Sequence, residues 1–267
     1  MSVHPSAIVE AGASLGPGVQ VGPFSFVGSE VVIGDQSIIQ THVVLEGRVV
    51  VGKNNSIGHG SIIGGLPQDA GFDPGTRSGV ELGNGNVIRE HCTIHRGTTD
   101  GSATRLGDGN FLMAGAHLGH DVQVGNEVVI ANNCLLGGHV RIGDRAFLGG
   151  GTVFHQFTRV GRLVMTQGNS GFGKDIPPFV VAAQRNVIAG LNVVGMRRAG
   201  FSVAERSEIK RAFQLLYRSG LNRRQVLDRV ADTDWGPLGR EFFDFVAQTG
   251  KRGLVPYRRG ADAEAAD

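Results

Sequence analysis

An aliphatic residue recurs every six positions along most of the chain, and this period constrains the fold more than any other feature of the sequence. A first register contains Val3, Val9, Leu15, Val21, Val27, Ile33, Ile39, Leu45, Val51, Ile57 and Ile63 without exception. A second register contains Leu82, Ile88, Ile94, Leu106, Leu112, Leu118, Val124, Ile130, Leu136, Ile142, Leu148, Phe154 and Val160, and Asp100 alone breaks it. A helix repeats every 3.6 residues, so this spacing instead favours short strands separated by corners.

A small residue two positions before each aliphatic one completes the repeat, as at Ala116 and Val122. In an extended chain, residues i and i−2 point to the same face, so both positions should fill an interior. The glycine, asparagine or aspartate that follows suits a tight corner. Three such sides make a triangular coil of about 18 residues, and about ten coils run from residue 3 to about 185. The repeat therefore predicts a mainly β fold, a parallel β-helix.

Composition agrees with this prediction and excludes several other classes. Glycine supplies 43 of 267 residues without the three-residue period of collagen, and 40% hydrophobic residues exclude a disordered chain. No run of 18 apolar residues and no signal peptide is visible, so we expect a cytoplasmic protein with no stable membrane insertion. Cys92 and Cys134 both occupy small inward positions, where we expect them to pack in the core.

The sequence divides into three parts. Residues 1–190 form the predicted β-helix, with external loops near 64–81 and 98–105 where the period is interrupted. Residues 191–252 form a predicted small α-helical domain, in which Ser202 with Glu205 makes a capping box, Asn222 caps a second helix and Pro237 opens a third. Residues 253–267 form a predicted disordered tail. Residues 197–259 carry a net charge of +7, which indicates either a solvated helical surface or an acidic partner, and we predict no nucleic acid partner.

Several histidines lie outside the inward register, at positions that face away from the core. His120, His139 and His155 are 19 and 16 residues apart, about one coil each, which predicts a column along one edge of the prism. One interpretation is a set of solvated side chains, and the other is a polar groove around a catalytic imidazole. Zinc is a third possibility, but the His117-x-x-His120 spacing does not match the spacing of zinc-binding hexapeptide proteins, so we predict no metal.

The chain resembles the UDP-N-acetylglucosamine O-acyltransferase family of lipid A biosynthesis. The resemblance covers nearly the whole chain and depends on the following stretches: IREHCTIHRGT (88–98), LMAGAHLGHDVQVGN (112–126), ANNCLLGGHVRIGD (131–144), VFHQFTRVG (153–161), KDIPPFV (174–180), RRAGFS (197–202) and LLYRSG (215–220). It implies a left-handed β-helix, a homotrimer, and transfer of a 3-hydroxyacyl chain from acyl carrier protein to a sugar 3-hydroxyl, the first step of lipid A biosynthesis. It implies no cofactor, since the donor is carried on the phosphopantetheine of the carrier protein.

The resemblance also implies roles for individual residues. His120 matches the general base, Asp121 the acidic neighbour that orients it, and Gly138 the residue whose backbone N–H faces the thioester oxyanion. Because adjacent side chains in a strand point apart, the pairing of His120 with Asp121 requires a corner. The positions that match contacts to the nucleotide sugar are Gln68, Asp69, His117, His139, His155, Gln156, Asn192 and Arg198. Gly168 matches a position that leaves room for the acyl chain.

The sequence departs from the family on the nucleotide side. Ala70-Gly71-Phe72 follows Gln68-Asp69 where the family has a lysine, and Val194 and Ala199 replace a glutamate and an arginine. Three alternatives therefore stay open: a different nucleotide amino sugar as acceptor, acyl-coenzyme A as donor, or a non-catalytic hexapeptide-repeat paralogue.

Overall fold

The computed structural model describes residues 2–258, which form a triangular prism of three parallel sheets followed by a cluster of helices. Up to residue 172, successive strands lie on successive sheets, so every third strand is a hydrogen-bonded neighbour and a regular coil comprises three repeats, as in the pairing of Leu118 with Leu136. The fold is the left-handed β-helix that the resemblance implies.

The strands of the three sheets are short, most of them two residues long. Sheet A contains β1 (Ser2–Val3), β4 (Gln20–Val21), β7 (Ile38–Ile39), β10 (Ser56–Ile57), β13 (Val87–Ile88), β16 (Phe111–Leu112), β19 (Val129–Ile130), β22 (Phe147–Leu148), β25 (Met165–Thr166), β27 (Val180–Ala183) and β28 (Val187–Leu191). Sheet B contains β2 (Ile8–Val9), β5 (Phe26–Val27), β8 (Val44–Leu45), β11 (Ile62–Gly65), β14 (Thr93–His95), β17 (His117–Leu118), β20 (Leu135–Leu136), β23 (Val153–Phe154) and β26 (Gly171–Phe172). Sheet C contains β3 (Ser14–Leu15), β6 (Val31–Ile33), β9 (Arg48–Val51), β12 (Gly79–Leu82), β15 (Ala103–Leu106), β18 (Gln123–Val124), β21 (Arg141–Ile142) and β24 (Arg159–Val160).

The core of the prism consists of the two inward positions of each repeat, as the sequence predicts. From Val21 to Val160 the aliphatic positions are buried, and small residues such as Ala116 and Val122 are buried beside them. Cys92 and Cys134 lie in the same core, where burial raises the pKa of the two thiols to about 11 and about 12. The first coil is the exception, since its inward positions face the open end of the prism and Val3 is 37% exposed.

Two loops leave the prism at the edge between sheets B and C, in consecutive coils. They span residues 66–78 and 96–102, so the predicted loops 64–81 and 98–105 were displaced at their ends. The flanking residues extend β11, β12 and β15, because backbone pairing with neighbouring coils continues up to the departure of each loop. The loops also bind each other: Asp100 accepts a hydrogen bond from the Arg77 N–H at 2.8 Å, and the Arg96 guanidinium donates to the Pro74 carbonyl at 3.0 Å.

The C-terminal region contains four helices among the described residues: α1 (Val193–Arg198), α2 (Val203–Arg218), α3 (Arg223–Ala231) and α4 (Pro237–Ala247). The capping boxes at Ser202 and Asn222 are present, and Pro237 begins α4, as the sequence predicts. The sequence did not predict α1 or the antiparallel pairing of β27 with β28. No helix within residues 2–258 is long and apolar enough to cross a bilayer.

The predicted start of a disordered tail at residue 253 is wrong. Val255 is fully buried in the core of the prism, and its carbonyl accepts a hydrogen bond from the Tyr217 hydroxyl at 3.1 Å. Leu254 and Tyr257 make bridges to Asp175 and Ile188, so an apolar side chain and backbone pairing hold this segment in place. The remainder of the predicted tail, 259–267, lies outside the described residues.

Candidate active site

The edge between sheets B and C brings together His120, Asp121, Gly138 and His139, which we call the histidine corner. Each corner here is a two-residue turn at the centre of the four residues that separate the strand on sheet B from the strand on sheet C. Because neighbouring coils pair in one constant register, Gly138 stacks above His120 and His139 stacks above Asp121. The coil register therefore determines which candidate site side chains meet.

The second residue of each of these corners has a left-handed backbone, with φ of 59° at Asp121, 60° at His139 and 66° at Phe157. This conformation is unfavourable for residues other than glycine. Hydrogen bonds between coils offset its cost: the His139 N–H donates to the His120 carbonyl at 2.9 Å, and the Phe157 N–H donates to the Gly138 carbonyl at 2.9 Å. The turn lets the adjacent side chains of His120 and Asp121 converge, as the sequence analysis required.

The His120 and Asp121 side chains form a hydrogen-bonded pair, with 3.0 Å between His120 Nδ1 and Asp121 Oδ2. Both are largely buried, at 15% and 10% side-chain exposure. If Nδ1 carries the proton that Asp121 accepts, Nε2 presents its lone pair for proton transfer. The geometry is that of a histidine base oriented by a carboxylate.

The external loop 96–102 holds Asp121 from the other side. Oδ2 of Asp121 accepts hydrogen bonds from the Thr98 N–H at 3.1 Å and from the Thr98 hydroxyl at 2.6 Å. Burial raises the pKa of the Asp121 carboxyl, but hydrogen bonds from Thr98, His120 and Ser102 outweigh it, so the pKa lies below its ordinary value and the group is ionised at neutral pH. Sequence reasoning did not assign a role to Thr98, although this residue ends the IHRGT segment that carries the resemblance.

Gly138 allows the His120 ring to lie directly against the next coil. A Cβ atom at position 138 would come within 2.4 Å of both Cε1 and Nε2 of His120. The Gly138 N–H has no acceptor among residues 2–258, so it can donate to a group bound beside the imidazole. These two facts agree with the predicted close approach of backbone at this glycine.

His139 and Phe157 extend the corner upwards. The His139 ring lies edge-on to His120 with 5.0 Å between centroids, and it stacks on Phe157 at 4.5 Å. Burial lowers the pKa of His139 although the charge of Asp121, 3.8 Å away, opposes that shift. The predicted column of three histidines is therefore wrong in its third member. Phe157 occupies the equivalent position one coil above His139, whereas His155 lies two positions earlier and its Nδ1 is 3.3 Å from the Gln156 carbonyl oxygen.

His117 lies on sheet B beside this corner, in a second group that includes His95, which sequence reasoning left unassigned. The His117 and His95 rings meet edge-on at 4.9 Å, and His117 Nδ1 is 2.7 Å from the Thr93 hydroxyl. Burial lowers the pKa of His117 and lowers that of His95 to about 4, with smaller contributions from His117 and His120. His95 is therefore neutral at physiological pH.

The other predicted site residues lie on different parts of the single chain. Gln68 and Asp69 are exposed in loop 66–78, and Gln156 is exposed at the next corner above Gly138. Asn192 caps α1 by accepting from the Gly195 N–H at 2.9 Å, and its amide donates to the Leu163 carbonyl at the C–A edge. Arg198 ends α1. Gly168 lies at the A–B edge, where an added Cβ atom would be 3.1 Å from the Gly150 carbonyl oxygen. One chain therefore does not bring Asn192, Arg198 and Gly168 to His120.

The histidine corner also has the composition of a metal site. Ligand atoms of His120, Asp121 and His139 lie within 4.8 Å of one another. However, Oδ2 of Asp121 already accepts hydrogen bonds from Thr98, and its 3.0 Å separation from His120 Nδ1 is that of a hydrogen bond. This arrangement suits proton transfer, and the absence of a metal stays a prediction.

Comparisons with known proteins agree with the geometry. Residues 175–255 match the family described as UDP-N-acetylglucosamine O-acyltransferase, domain 2, and residues 103–138 match the bacterial transferase hexapeptide repeats. The chain is 51% identical over 223 residues to the acyl-(acyl-carrier-protein)–UDP-N-acetylglucosamine O-acyltransferase of Burkholderia orbicola, covering 82% of this chain and 84% of the relative. It is 44% identical over 261 residues to the Paraburkholderia phymatum protein of the same name, covering 95% and 98%. The structure of the UDP-N-acetylglucosamine acyltransferase from Campylobacter jejuni superposes with a TM-score of 0.89 at 35% identity, covering 96% of this chain and 100% of that one.

The lowered pKa of His95 predicts a pH dependence of stability. The unfolded residue takes up a proton near its ordinary pKa of 6.5, but the folded residue does so only near 4. The folded state should therefore lose stability as the pH falls from 6.5 towards 4, by up to about 3 kcal/mol from this residue. The melting temperature of the wild type should fall more steeply between pH 7.5 and pH 5 than that of His95→Asn. The exposed control His4→Asn should follow the wild type, and parallel curves for wild type and His95→Asn would show that His95 is not held neutral.

Proposed function

This chain belongs to the UDP-N-acetylglucosamine O-acyltransferase family, and from that premise we propose that it transfers a 3-hydroxyacyl chain from acyl carrier protein to the 3-hydroxyl of UDP-N-acetylglucosamine, with His120 as the general base. The reaction is the first step of lipid A biosynthesis. The observation that supports the chemistry is the convergence of His120, Asp121 and Gly138 at one corner.

Each group at the corner has one task. Nε2 of His120 removes the proton of the sugar hydroxyl as its oxygen attacks the thioester carbon, and an imidazole is suited to this near neutral pH. Asp121, ionised because its pKa is lowered, stabilises the imidazolium that forms. The Gly138 N–H faces the oxyanion of the tetrahedral intermediate, and such a donor contributes about 3 kcal/mol. Collapse of the intermediate breaks the carbon–sulfur bond, and the leaving thiolate takes the proton from His120.

A homotrimer explains why the remaining site residues are distributed over three edges. The outward residues of sheets A and B are largely apolar, as at Phe147 and Val153, which are 39% and 46% exposed. The outward residues of sheet C are polar in every strand from the one that contains Glu81 to the end of the sheet. If sheet A of one protomer packs on sheet B of the next around a three-fold axis, burying both apolar faces, the A–B edge points to the axis. The B–C edge with His120 then lies beside the C–A edge of the neighbouring protomer, where Asn192 is found.

In that arrangement the acceptor binds between protomers. His117, His139, His155 and Gln156 come from one protomer, Asn192 and Arg198 come from its neighbour, and Gln68 and Asp69 extend from the loop at the B–C edge. The acyl chain runs towards the axis between the two apolar faces, where Gly168 leaves room for it.

The donor is acyl carrier protein, and the helical region is its docking partner. Lys210 and Arg224 are exposed and have no ion pair among residues 2–258. Arg206 and Arg211 instead stabilise the helices, because Arg206 donates to the Phe201 carbonyl and Arg211 lies 5.3 Å from the Trp235 ring. Free basic side chains attract an acidic carrier over distances of about one Debye length, about 8 Å at physiological salt.

A different nucleotide amino sugar is the second candidate acceptor. Val194 is 58% exposed on α1 and Ala199 follows that helix, so two of the family's charged nucleotide contacts are missing from the neighbouring edge. Mass spectrometry of the product, with purified carrier protein and a series of nucleotide sugars, distinguishes the two acceptors. Transfer from acyl-coenzyme A alone, or no transfer with any acceptor, would contradict the proposed donor or the proposed activity.

The general-base role of His120 predicts the effect of its removal. The variant His120→Ala should lower kcat at least ~100-fold, the usual contribution of general-base catalysis. Its melting temperature should stay near the wild-type value because the ring lies outside the core. The exposed His4→Ala serves as the control, and near wild-type turnover by His120→Ala would refute the assignment.

The trimer predicts opposite results for two equally exposed valines. Val153 is 46% exposed on sheet B and Val32 is 44% exposed on sheet C. A buried aspartate without a partner is costly, so Val153→Asp should dissociate the trimer, whereas Val32→Asp should not. Light scattering after gel filtration measures the mass of each variant. A wild-type monomer, or a trimer that tolerates Val153→Asp, would contradict this packing.

A further inference from the structure

The outward face of sheet C carries a column of charged and polar side chains that the proposed chemistry does not use. The strand register aligns Glu81, Arg105, Gln123, Arg141 and Arg159 on five successive coils. Arg141 and Arg159 stand directly opposite each other on neighbouring strands. Like charges at this spacing repel, so the pair destabilises the sheet unless anions neutralise it.

Two of the three arginines have partners within the chain. Arg105 pairs with Glu81 at 2.8 Å. Arg159 lies 3.7 Å from the Asp175 carboxylate, donates to the Gln248 carbonyl at 2.8 Å and stacks over Phe245.

Arg141 is different. Its side chain is exposed and makes no hydrogen bond, ion pair or ring contact with residues 2–258. Its charge nevertheless reaches His139, whose pKa it helps to lower. A guanidinium without a partner therefore lies within electrostatic range of the histidine corner.

A cavity connects Arg141 to that corner. Its volume is about 660 Å³, and Arg105, Arg141 and Arg159 are among the residues that line it. Asp121, His139 and Phe157 also line it. Of the three arginines that line this cavity, Arg141 is the one whose guanidinium has no partner among residues 2–258, so it is available to a molecule that extends from the corner towards sheet C.

We propose that Arg141, with Arg159 on the neighbouring strand and Arg105 in the same cavity, binds a phosphate ester of a substrate. The planar guanidinium donates two parallel hydrogen bonds to phosphate oxygens, which makes arginine the preferred side chain for this ligand. The proposal rests on the proposed function, in which both substrates carry such a group. The acceptor has the diphosphate of a nucleotide sugar, and the donor has the phosphodiester of its pantetheine arm.

Steady-state kinetics of Arg141→Ser and Arg141→Lys test the site and identify its source. Arg141→Ser should raise the KM for one substrate by at least about tenfold, the loss expected for a hydrogen bond to a charged group. Arg141→Lys should recover part of that loss. A rise in the KM for UDP-N-acetylglucosamine would show that Arg141 binds the acceptor diphosphate. A rise in the KM for acyl carrier protein would show that it binds the donor phosphodiester. The control is Arg48→Ser, which removes an exposed arginine from the same sheet four strands away.

Binding measurements separate this site from the proposed activity. Calorimetric titration with inorganic pyrophosphate and with 4′-phosphopantetheine needs no turnover, and Arg141→Ser should bind one of them at least about tenfold more weakly than wild type and Arg48→Ser do. Unchanged KM values together with unchanged binding of both probes would overturn the phosphate site. A wild type that binds a probe through Arg141 but transfers no acyl group would leave the site intact and refute the proposed function.

Discussion

The backbone ladder between coils is the interaction on which the rest of the structure depends. Each coil exchanges hydrogen bonds with the coils directly above and below it, so residues at equal positions stack in columns. This register places Gly138 over His120 and His139 over Asp121. A shift of one residue would turn the inward aliphatic side chains outwards, which the buried core does not permit. The energy of the core thereby fixes the geometry of a site that lies outside it.

The corners bring the candidate site side chains together. A left-handed residue such as Asp121 lets two consecutive side chains converge, which no straight strand allows. The loop 96–102 then closes over the carboxylate, with Thr98 supplying two hydrogen bonds to the oxygen that also meets His120. The loop departs from the prism without disturbing the coils above and below. A β-helix can therefore contain an inserted loop that holds a side chain in place, with little loss of stability in its core.

The sequence predicted the parts of this protein that repeat. The inward positions, the buried cysteines and the helix caps depend on local patterns, and the structure confirms them. The pairing of His120 with Asp121 was implied by the family resemblance, and the periodicity added only that such a pairing requires a corner. The role of Thr98 could not be derived from periodicity, because it depends on how a non-repeating loop folds back. His155 lies outside the predicted column because it follows His139 by two residues fewer than a regular coil contains. The order of residues 253–258 depends on contacts with distant elements, which no local pattern records.

The central claim is that the close stacking of His120 on Gly138 makes this corner an acyl-transfer centre, and Gly138→Ala tests it most directly. The new methyl group would lie 2.4 Å from the His120 ring, so the imidazole must move although the backbone conformation at 138 accepts alanine. We predict that kcat/KM falls at least ~100-fold while the melting temperature stays within a few degrees of wild type, because the displaced ring lies outside the core. The control Gly250→Ala, whose methyl group meets no atom within 4 Å, should behave as wild type in both measurements. A Gly138→Ala enzyme with wild-type kcat/KM would contradict this account.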